Sequence, residues 1–427
     1  MQFMKPASSS SGLPSYDEAA ARVSGYAARL AEQPAAMEEA RLDQALGRVL
    51  AGPIVADSDQ PAFARSTRDG YACRAAEAAT HARLAIAGAT HAGQAPGGPL
   101  PRGAAWEIMT GAPVPAGADA VAMLEHVEAT ATHVRLLPPR VVEAGENLVA
   151  RGAQARAGDA LLAAGTVLHA AQIALAAACG YERVSVFARP RVAILCTGDE
   201  LVPVDAAPAP GQIRNSNGPM LAALVAEHGG EPWLLPTVPD RAEALDAALA
   251  EAARADLLLV TGGVSAGKFD LVEPALARAG ARFHFTGVRM QPGKPVVFGD
   301  VPRGPGSHAT ALPFFGLPGN PVSSAVTFLL FGATILAALA GRRERGPHFA
   351  QARMAPHVDR RGKAGLTRFL PAYCSFRGPE GALPEAAFVP WQGSGDLTAM
   401  ARANCFLVIP EDQRSLEAGA TVRILLP

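Results

Sequence analysis

Residues 255–270 read ADLLLVTGGVSAGKFD. An apolar run, Leu257 to Val260, leads into the polar loop Thr261-Gly262-Gly263-Val264-Ser265-Ala266-Gly267-Lys268, with Phe269 and Asp270 behind it. A continuous rather than alternating apolar run bounded by a glycine turn is the pattern of a strand buried on both faces. The unit recurs: RVAILC (191–196) leads into Thr197-Gly198-Asp199-Glu200, and FFGL (314–317) into Pro318-Gly319-Asn320-Pro321. Between them lie PWLLPTV, FHFTGV and PVVFG, interleaved with amphipathic stretches that predict helices over 217–228 and 240–254, a short one after Asp270 and a long apolar one after Pro321. Strands and helices alternating in this way predict βαβ units and a doubly wound, mostly parallel sheet covered on both faces. Ligands sit at the carboxyl ends of such strands, so the three loops are expected to form one rim.

On the N-terminal side of this α/β unit, residues 15–51 carry apolar positions at helical spacing, and Ser15 with Glu18 forms a capping box. From about Pro53 to Val142 the chain changes to short alternating runs broken by Gly and Pro, a small β-rich domain. Residues 144–189 alternate turns with one alanine-rich helix near His169–Cys179, and residues 348–427 again read as short strands and turns. The 427 residues suggest about three domains at roughly 150 residues each.

The formal charge is −1, from 38 cationic and 39 acidic residues, which argues against a nucleic-acid binder. A hydrophobic share of 49% supplies several cores. Five scattered cysteines without ligand spacing argue against disulfides or zinc and for a reducing cytoplasm. The start, MQFMKPASSSSG, lacks the apolar core of a secretory signal. Val322 to Ala340 is uncharged for 19 residues, but it contains Ser323, Ser324 and Thr327 and follows a strand and a tight turn. It is therefore expected to be a buried helix rather than a membrane span.

The loops have the chemistry of an anion site. In TGGVSAGK, glycines allow close backbone approach, and Ser265 and the backbone N–H groups can donate to a phosphate. Gly262 to Lys268 matches G-x-x-x-x-G-K, but Phe269 stands where a nucleotide hydrolase needs Ser or Thr for Mg²⁺, so a standard P-loop is disfavoured. Asn320-Pro321 reads as an ordinary helix start, and Asp240 with Glu243 as a capping box. Asp199, Glu200 and Asp270 share the rim and suggest Mg²⁺ held through oxygen. Only four cations are lysine, and two of them, Lys268 and Lys294, lie in glycine-bearing loops, where a compact point charge suits an oxyanion.

The motifs TRDGYA (67–72), EIMTGAPVPAGADAV (107–121), TGDEL (197–201), TGGVSAGKFD (261–270), QPGKP (291–295), LPGNPVSS (317–324) and QGSGDL (392–397) occur in this order. The set closely resembles the molybdopterin molybdenumtransferases, the molybdenum insertion enzymes of molybdenum-cofactor synthesis, whose eukaryotic relatives include the gephyrin E domain. The resemblance implies a multidomain α/β plus β protomer. Its parts are a discontinuous N-terminal helical and linker domain (14–55 and 144–189), a β-rich inserted domain (56–143), a molybdopterin-binding α/β domain (190–341) and a C-terminal β-barrel (346–427). It implies a homodimer with its site between the α/β domain of one chain and the β-rich domain of the other, and insertion of molybdenum from molybdate into the dithiolene of adenylylated molybdopterin with Mg²⁺-assisted release of AMP.

By resemblance, Thr197, Gly198, Asp199, Gly262, Gly263, Ser265, Gly267, Lys268, Pro292, Gly293, Pro318, Gly319 and Asn320 hold the pterin substrate. Glu200, Asp240 and Asp270 hold Mg²⁺ and act in catalysis, Lys294 and Ser394 meet molybdate, and Asp69, also catalytic, and Thr110, also substrate-binding, reach the site from the partner chain. The chain departs from the family pattern at Arg68, where Met is usual, and at Ala153-Gln154, where an acidic pair is usual. It departs again at Gly287 and Gln291, which are often basic, at Lys268, and within Gly365–Pro371. Two other functions fit parts of this pattern: a molybdopterin adenylyltransferase, which shares the α/β domain, and a molybdopterin-binding scaffold with weakened catalysis.

Overall fold

A computed structural model describes residues 12–33, 35–263, 271–303, 311–355, 365–375 and 381–427. The N-terminal helix α1 (Tyr16–Leu30) begins with the expected capping box: Glu18 N–H donates to Ser15 Oγ and Ser15 N–H to Glu18 Oε2. The predicted helicity does not continue to residue 51. Met37–Arg41 is a strand paired antiparallel with Arg183–Phe187, and Leu42–Gln44 forms a single 3₁₀ turn. The helical spacing there is overruled by long-range pairing that buries Ala40 against Val184 and Val186. Gly47 at φ +74° then ends any helical continuation.

The central sheet contains β1 (Arg191–Cys196), β2 (Glu231–Leu234), β3 (Leu257–Thr261), β4 (Arg282–Thr286), β5 (Val297–Pro302) and β6 (Ala311–Leu317), in the spatial order β2-β1-β3-β6-β5-β4. β2, β1, β3 and β6 run parallel, and β5 is reversed against both of its neighbours. The mostly parallel sheet is thus as expected. Side chains alternate between its faces. Val192, Ile194 and Cys196 pack with helix α2 (Asn217–Glu227) and with the long helix that follows β6, whereas Ala193 and Leu195 pack with α3 (Ala242–Ala252) and α4 (Val272–Arg278).

The long apolar helix covers Pro321–Leu339, with a wide π turn at Phe328–Gly332. By length and hydropathy it could cross a membrane, but 94% of its most apolar window is buried inside the protein. α1 is packed on this helix: the Tyr16 ring lies 6.1 Å from Phe331 and 5.4 Å from Phe369 of the C-terminal domain. Burial pushes the Tyr16 hydroxyl up to about 12, the largest cause.

The β-rich domain is a six-stranded sheet in which Gly70–Cys73 lies between Ala104–Ile108 and Ala120–Met123. The C-terminal domain is a five-stranded barrel of β7 (Phe349–Met354), β8 (Thr367–Ser375), β9 (Glu385–Phe388), β10 (Cys405–Ile409) and β11 (Thr421–Leu425), closed by pairing of β8 with β10. All five cysteines are buried free thiols.

Phe298 on β5 is fully buried and stacks on Phe315 of β6 at 4.7 Å. Phe298→Ala removes a ring from the layer between the sheet and α1, and should cost about 3–5 kcal/mol. A denaturant titration that follows loss of tertiary signal checks this, with a lowered midpoint expected.

Candidate functional site

The rim is set by strand register. Cys196 pairs with Thr261 and Thr261 with Leu317, so three adjacent parallel strands end at one level and their loops lie side by side. β1 connects through α2 to β2 on one side, while the chain continues through α3 to β3 on the other. The crevice between β1 and β3 is therefore the topological switch point, where open α/β sheets bind ligands.

At this crevice Thr197 N–H donates to Thr261 O at 3.0 Å, and Gly262 follows at φ +95°. A methyl group on Gly262 would lie 2.2 Å from Thr197 O, so the two loops can touch only because residue 262 has no side chain. Gly263 follows at φ +59°, and Gly319 of the third loop lies against Gly262.

Asp240 belongs to this rim and is not a helix cap. The helix cap is Arg241, without a side-chain bond, and the Asp240 carboxylate accepts from Thr197 Oγ1 at 2.5 Å. Asp240 N–H donates in turn to Asp199 Oδ1 at 3.2 Å. The expected capping box with Glu243 is absent because the Thr197 hydroxyl holds the Asp240 side chain away from the helix end. The Glu200 carboxylate folds back over Gly198, where a methyl group would lie 2.5 Å from its oxygen. Glu200 and Asp240 thus flank the two-residue turn Thr197-Gly198. Ser265, Gly267, Lys268 and Asp270 lie outside the described residues. Among the described residues no group of three metal-ligating side chains is preassembled.

Asn217, at the start of α2, went unread in the sequence. Its amide donates to Thr261 Oγ1 at 3.0 Å and to Gly319 O at 2.7 Å, tying the ends of β3 and β6 together. Because a carbonyl only accepts, the contact with Gly319 fixes which side of the amide is nitrogen. Thr261 Oγ1 passes the chain on to Pro318 O at 3.2 Å, and Ser324 Oγ also donates to Pro318 O. The segment Asn215-Ser216-Asn217 ahead of a helix was the available signal, but it reads equally well as a plain cap.

The third loop continues into the barrel domain. Asn320 is the helix N-cap by position with Pro321 at the first turn, as expected, yet its side chain does not cap. Asn320 Nδ2 donates to Ser394 Oγ at 2.8 Å, and Val322 N–H donates to Ser394 O at 3.1 Å. The QGSGD loop is ordered by Asp396, whose carboxylate accepts from Ala399 N–H at 3.0 Å and Gln392 N–H at 2.9 Å. These bonds, that to Ala399 first, hold its carboxyl below the usual carboxylate range.

Between the two loops lies a cavity of about 250 Å³ lined by Lys294, Pro318, Asn320, Trp391 and Ser394, with Pro292 and Gly293 at the start of the PGK turn, among others. The expected pair Lys294 and Ser394 is thereby brought together with the end of the rim. A hollow of about 510 Å³ beside α3 and α4 is larger but lined mostly by apolar side chains, with the Asp246–Arg278 pair at 2.8 Å. Among the described residues its lining includes no hydroxyl side chain.

Asp69 and Thr110 meet each other in the β-rich domain because Gly70 pairs with Ile108. Asp69 Oδ1 accepts from Thr110 N–H at 2.6 Å and Thr110 Oγ1 at 2.8 Å, and both residues are exposed. The backbone bond first, then the hydroxyl, lowers the Asp69 carboxyl below its ordinary value. Among the described residues no hydrogen bond joins this pair to the rim of the same chain.

Two predictions follow from this geometry. Gly262→Ala forces a methyl group onto the Thr197 carbonyl at a positive φ, a strain of about 1–3 kcal/mol. A lowered melting temperature is expected, measured by differential scanning calorimetry. Thr110→Val removes one of two donors to Asp69, so the Asp69 pKa should rise toward the ordinary carboxylate value. The sign is that of a depressed folded pKa: the stabilisation is present above the unfolded value and lost as pH falls through the folded one. A carboxylate NMR titration reads the shift.

Three family models match the chain: "MoeA N-terminal region (domain I and II)" over residues 13–180, "Probable molybdopterin binding domain" over 193–338, and "MoeA C-terminal region (domain IV)" over 355–426. The chain is 35% identical over 391 residues to the molybdopterin molybdenumtransferase of Nostoc sp., covering 89% of this chain and 86% of that protein. It is 34% identical over 421 residues to that of Bacillus subtilis, covering 96% and 93%. A crystal structure of the molybdopterin biosynthesis moeA protein from Pyrococcus horikoshii OT3 superposes with a TM-score of 0.79 at 28% identity, covering 97% of this chain and 100% of that one. With the strand-end rim, the barrel and the inserted β-rich domain all matched along one chain, this protein belongs to the MoeA family, that of the molybdopterin molybdenumtransferases.

Proposed function

We propose that this enzyme inserts molybdenum from molybdate into the dithiolene of adenylylated molybdopterin and releases AMP, a step of molybdenum-cofactor synthesis. The observation that carries the reading is the continuity of two unlike sites. The rim Thr197–Gly198, Gly262–Gly263 and Gly319 suits a phosphate-bearing substrate. The amides of Asn217 and Asn320 then link it without a break to the cavity holding Lys294 and Ser394. Such a path suits a pterin whose phosphoanhydride lies over the strand ends while its sulfur-bearing end reaches an oxyanion pocket.

In this reading, close backbone approach at Gly262 and Gly263 lets loop N–H groups meet the pterin phosphates. Asn217 keeps the β3 and β6 ends in register, so the cradle is formed before substrate arrives. Lys294 and the Ser394 hydroxyl hold molybdate, the hydroxyl proton being free to donate because Ser394 Oγ already accepts from Asn320. The carboxylates fit a hard cation: Glu200 and Asp240 flank one turn, and Asp270 follows the anion loop in sequence. Mg²⁺ held by Glu200, Asp240 and Asp270 would offset charge on the phosphoanhydride as AMP leaves. The hydrogen bond from Thr197 Oγ1 holds the Asp240 carboxylate beside the turn.

Asp69, kept anionic by Thr110 on an exposed edge of the β-rich domain, suits a site completed across a homodimer. The buried free thiols fit a cytoplasmic enzyme.

Incubation of the purified protein with adenylylated molybdopterin and Mg²⁺ tests the reading. AMP release should require molybdate. Tight pterin binding without AMP release would point instead to a scaffold, and ATP-dependent adenylylation of free molybdopterin to an adenylyltransferase. Asp240→Asn should slow AMP release about a hundredfold, the scale of a few kcal/mol of charge stabilisation, while sedimentation shows an unchanged oligomer.

A further inference from the structure

A hollow of about 460 Å³ opens where the C-terminal half of α1 meets the edge of the central sheet. Its lining includes Tyr26 and Arg29 of α1, Gln33 just after that helix, Arg282 and His284 of β4, and Asp300 of β5. This is the end of the sheet opposite to the rim. Arg282 pairs with Asp300, and Asp300 with Pro313 near the start of β6. Ala311, also in the lining, opens β6, and Leu317 closes it at the rim, about 20 Å away at the rise of a strand.

Asp300 is fully buried, and its charge is already met. Its Oδ1 accepts from Arg282 Nε at 2.8 Å and Nη2 at 2.6 Å, and its Oδ2 lies 2.8 Å from His284 Nε2. A buried carboxylate needs such partners, so these bonds alone imply no ligand. The rest of the lining is not explained in that way. Tyr26 is only 8% exposed, yet its hydroxyl makes no hydrogen bond among the described residues and is not sealed from the hollow. A hydroxyl held among protein atoms ordinarily has a partner.

The Tyr26 ring is fixed by its neighbours. It packs edge-on against Phe298 at 5.3 Å, lies 5.3 Å from the His284 ring, and carries the Arg29 guanidinium over its face at 5.4 Å. Burial, the largest cause, pushes its hydroxyl up to about 12, so at neutral pH the group is an O–H donor. Arg29 gives Nη1 to Gly25 O at 3.2 Å, which leaves most of its five N–H groups unused. Two guanidinium groups against one satisfied carboxylate give the hollow a positive excess.

We propose that this hollow is a second anion site, taking a small molecule with a phosphate or carboxylate head. The Tyr26 hydroxyl and the N–H groups of Arg29 and Arg282 donate to the head's oxygens, and the Gln33 amide is a further donor. Asp300 stands behind Arg282 and sets its orientation. The site is separate from the cavity of Lys294 and Ser394 and does not rest on the function proposed above. A ligand here touches α1 and β4 together, so it tightens the attachment of the helix whose other end meets Phe331 and Phe369.

Isothermal titration calorimetry of the full chain with inorganic phosphate and, separately, with succinate tests the proposal. Phosphate can also settle at the glycine rim, so the result is read as the difference between wild type and variants of the hollow. Tyr26→Phe keeps the ring and removes the hydroxyl. Arg29→Gln removes a charge from an exposed side chain and leaves the partners of Asp300 in place, so it serves should Tyr26→Phe fail to fold. Each variant should weaken binding at one site roughly ten- to a hundredfold, the range for a hydrogen bond to a charged group. A loss seen with phosphate alone assigns a phosphate head, and one seen with succinate alone a carboxylate head. Isotherms for both anions that are unchanged in both variants, or no binding of either anion by the wild type, would overturn the proposal.

Discussion

Three parallel strands that stop at the same level impose the rest of the site. Cys196, Thr261 and Leu317 are register partners, so the loops after them meet edge to edge, and their contact is close enough that residue 262 must be glycine. A slip of one residue in β3 would turn its side chains to the opposite faces and separate Thr261 from Thr197 and Pro318. The hydrogen bonds of Asn217 lock this register at the top of the sheet, and the alternating apolar side chains of β1 and β3 lock it in the middle. Asp240, Asp199 and Glu200 are then placed around one turn by contacts that exist only if the register holds.

The second dependency is the junction with the barrel. The cavity is made neither by the α/β domain nor by the barrel alone: Lys294 and Asn320 come from the first, Trp391 and Ser394 from the second. Its dimensions follow from how rigidly the two are docked. Asn320 and Val322 bind Ser394 at one end of the junction, and Tyr16 of α1 wedges between Phe331 and Phe369 at the other. α1 is thus a brace across two domains, a role that its amphipathic sequence did not disclose.

The α/β architecture was legible because its strands are continuous apolar runs that end in glycine turns, and the loops carrying Thr197, Gly262 and Asn320 were found for the same reason. The strand Met37–Arg41 was not, since its partner Arg183–Phe187 is distant in sequence and its own spacing mimics a helix. Asp240 was read partly as a cap because Asp-Arg-Ala-Glu matches a local pattern. The competing partner, the Thr197 hydroxyl, is 43 residues away. Asn217 went unread for a related reason. A single Asn at a helix start has a common local explanation, and only the fold shows it bridging two strand ends.

Charge is economical throughout. The chain is nearly neutral overall, and in the proposed function a polyanionic ligand would be met by loop N–H groups, hydroxyl and amide donors and Lys294 rather than by a basic surface. The central claim is that this cavity is where the metal oxyanion rests. Anomalous diffraction at the molybdenum absorption edge, from crystals soaked in molybdate, tests it most directly. A peak beside Lys294 and Ser394 is predicted, and molybdenum bound elsewhere with that cavity holding none would contradict it.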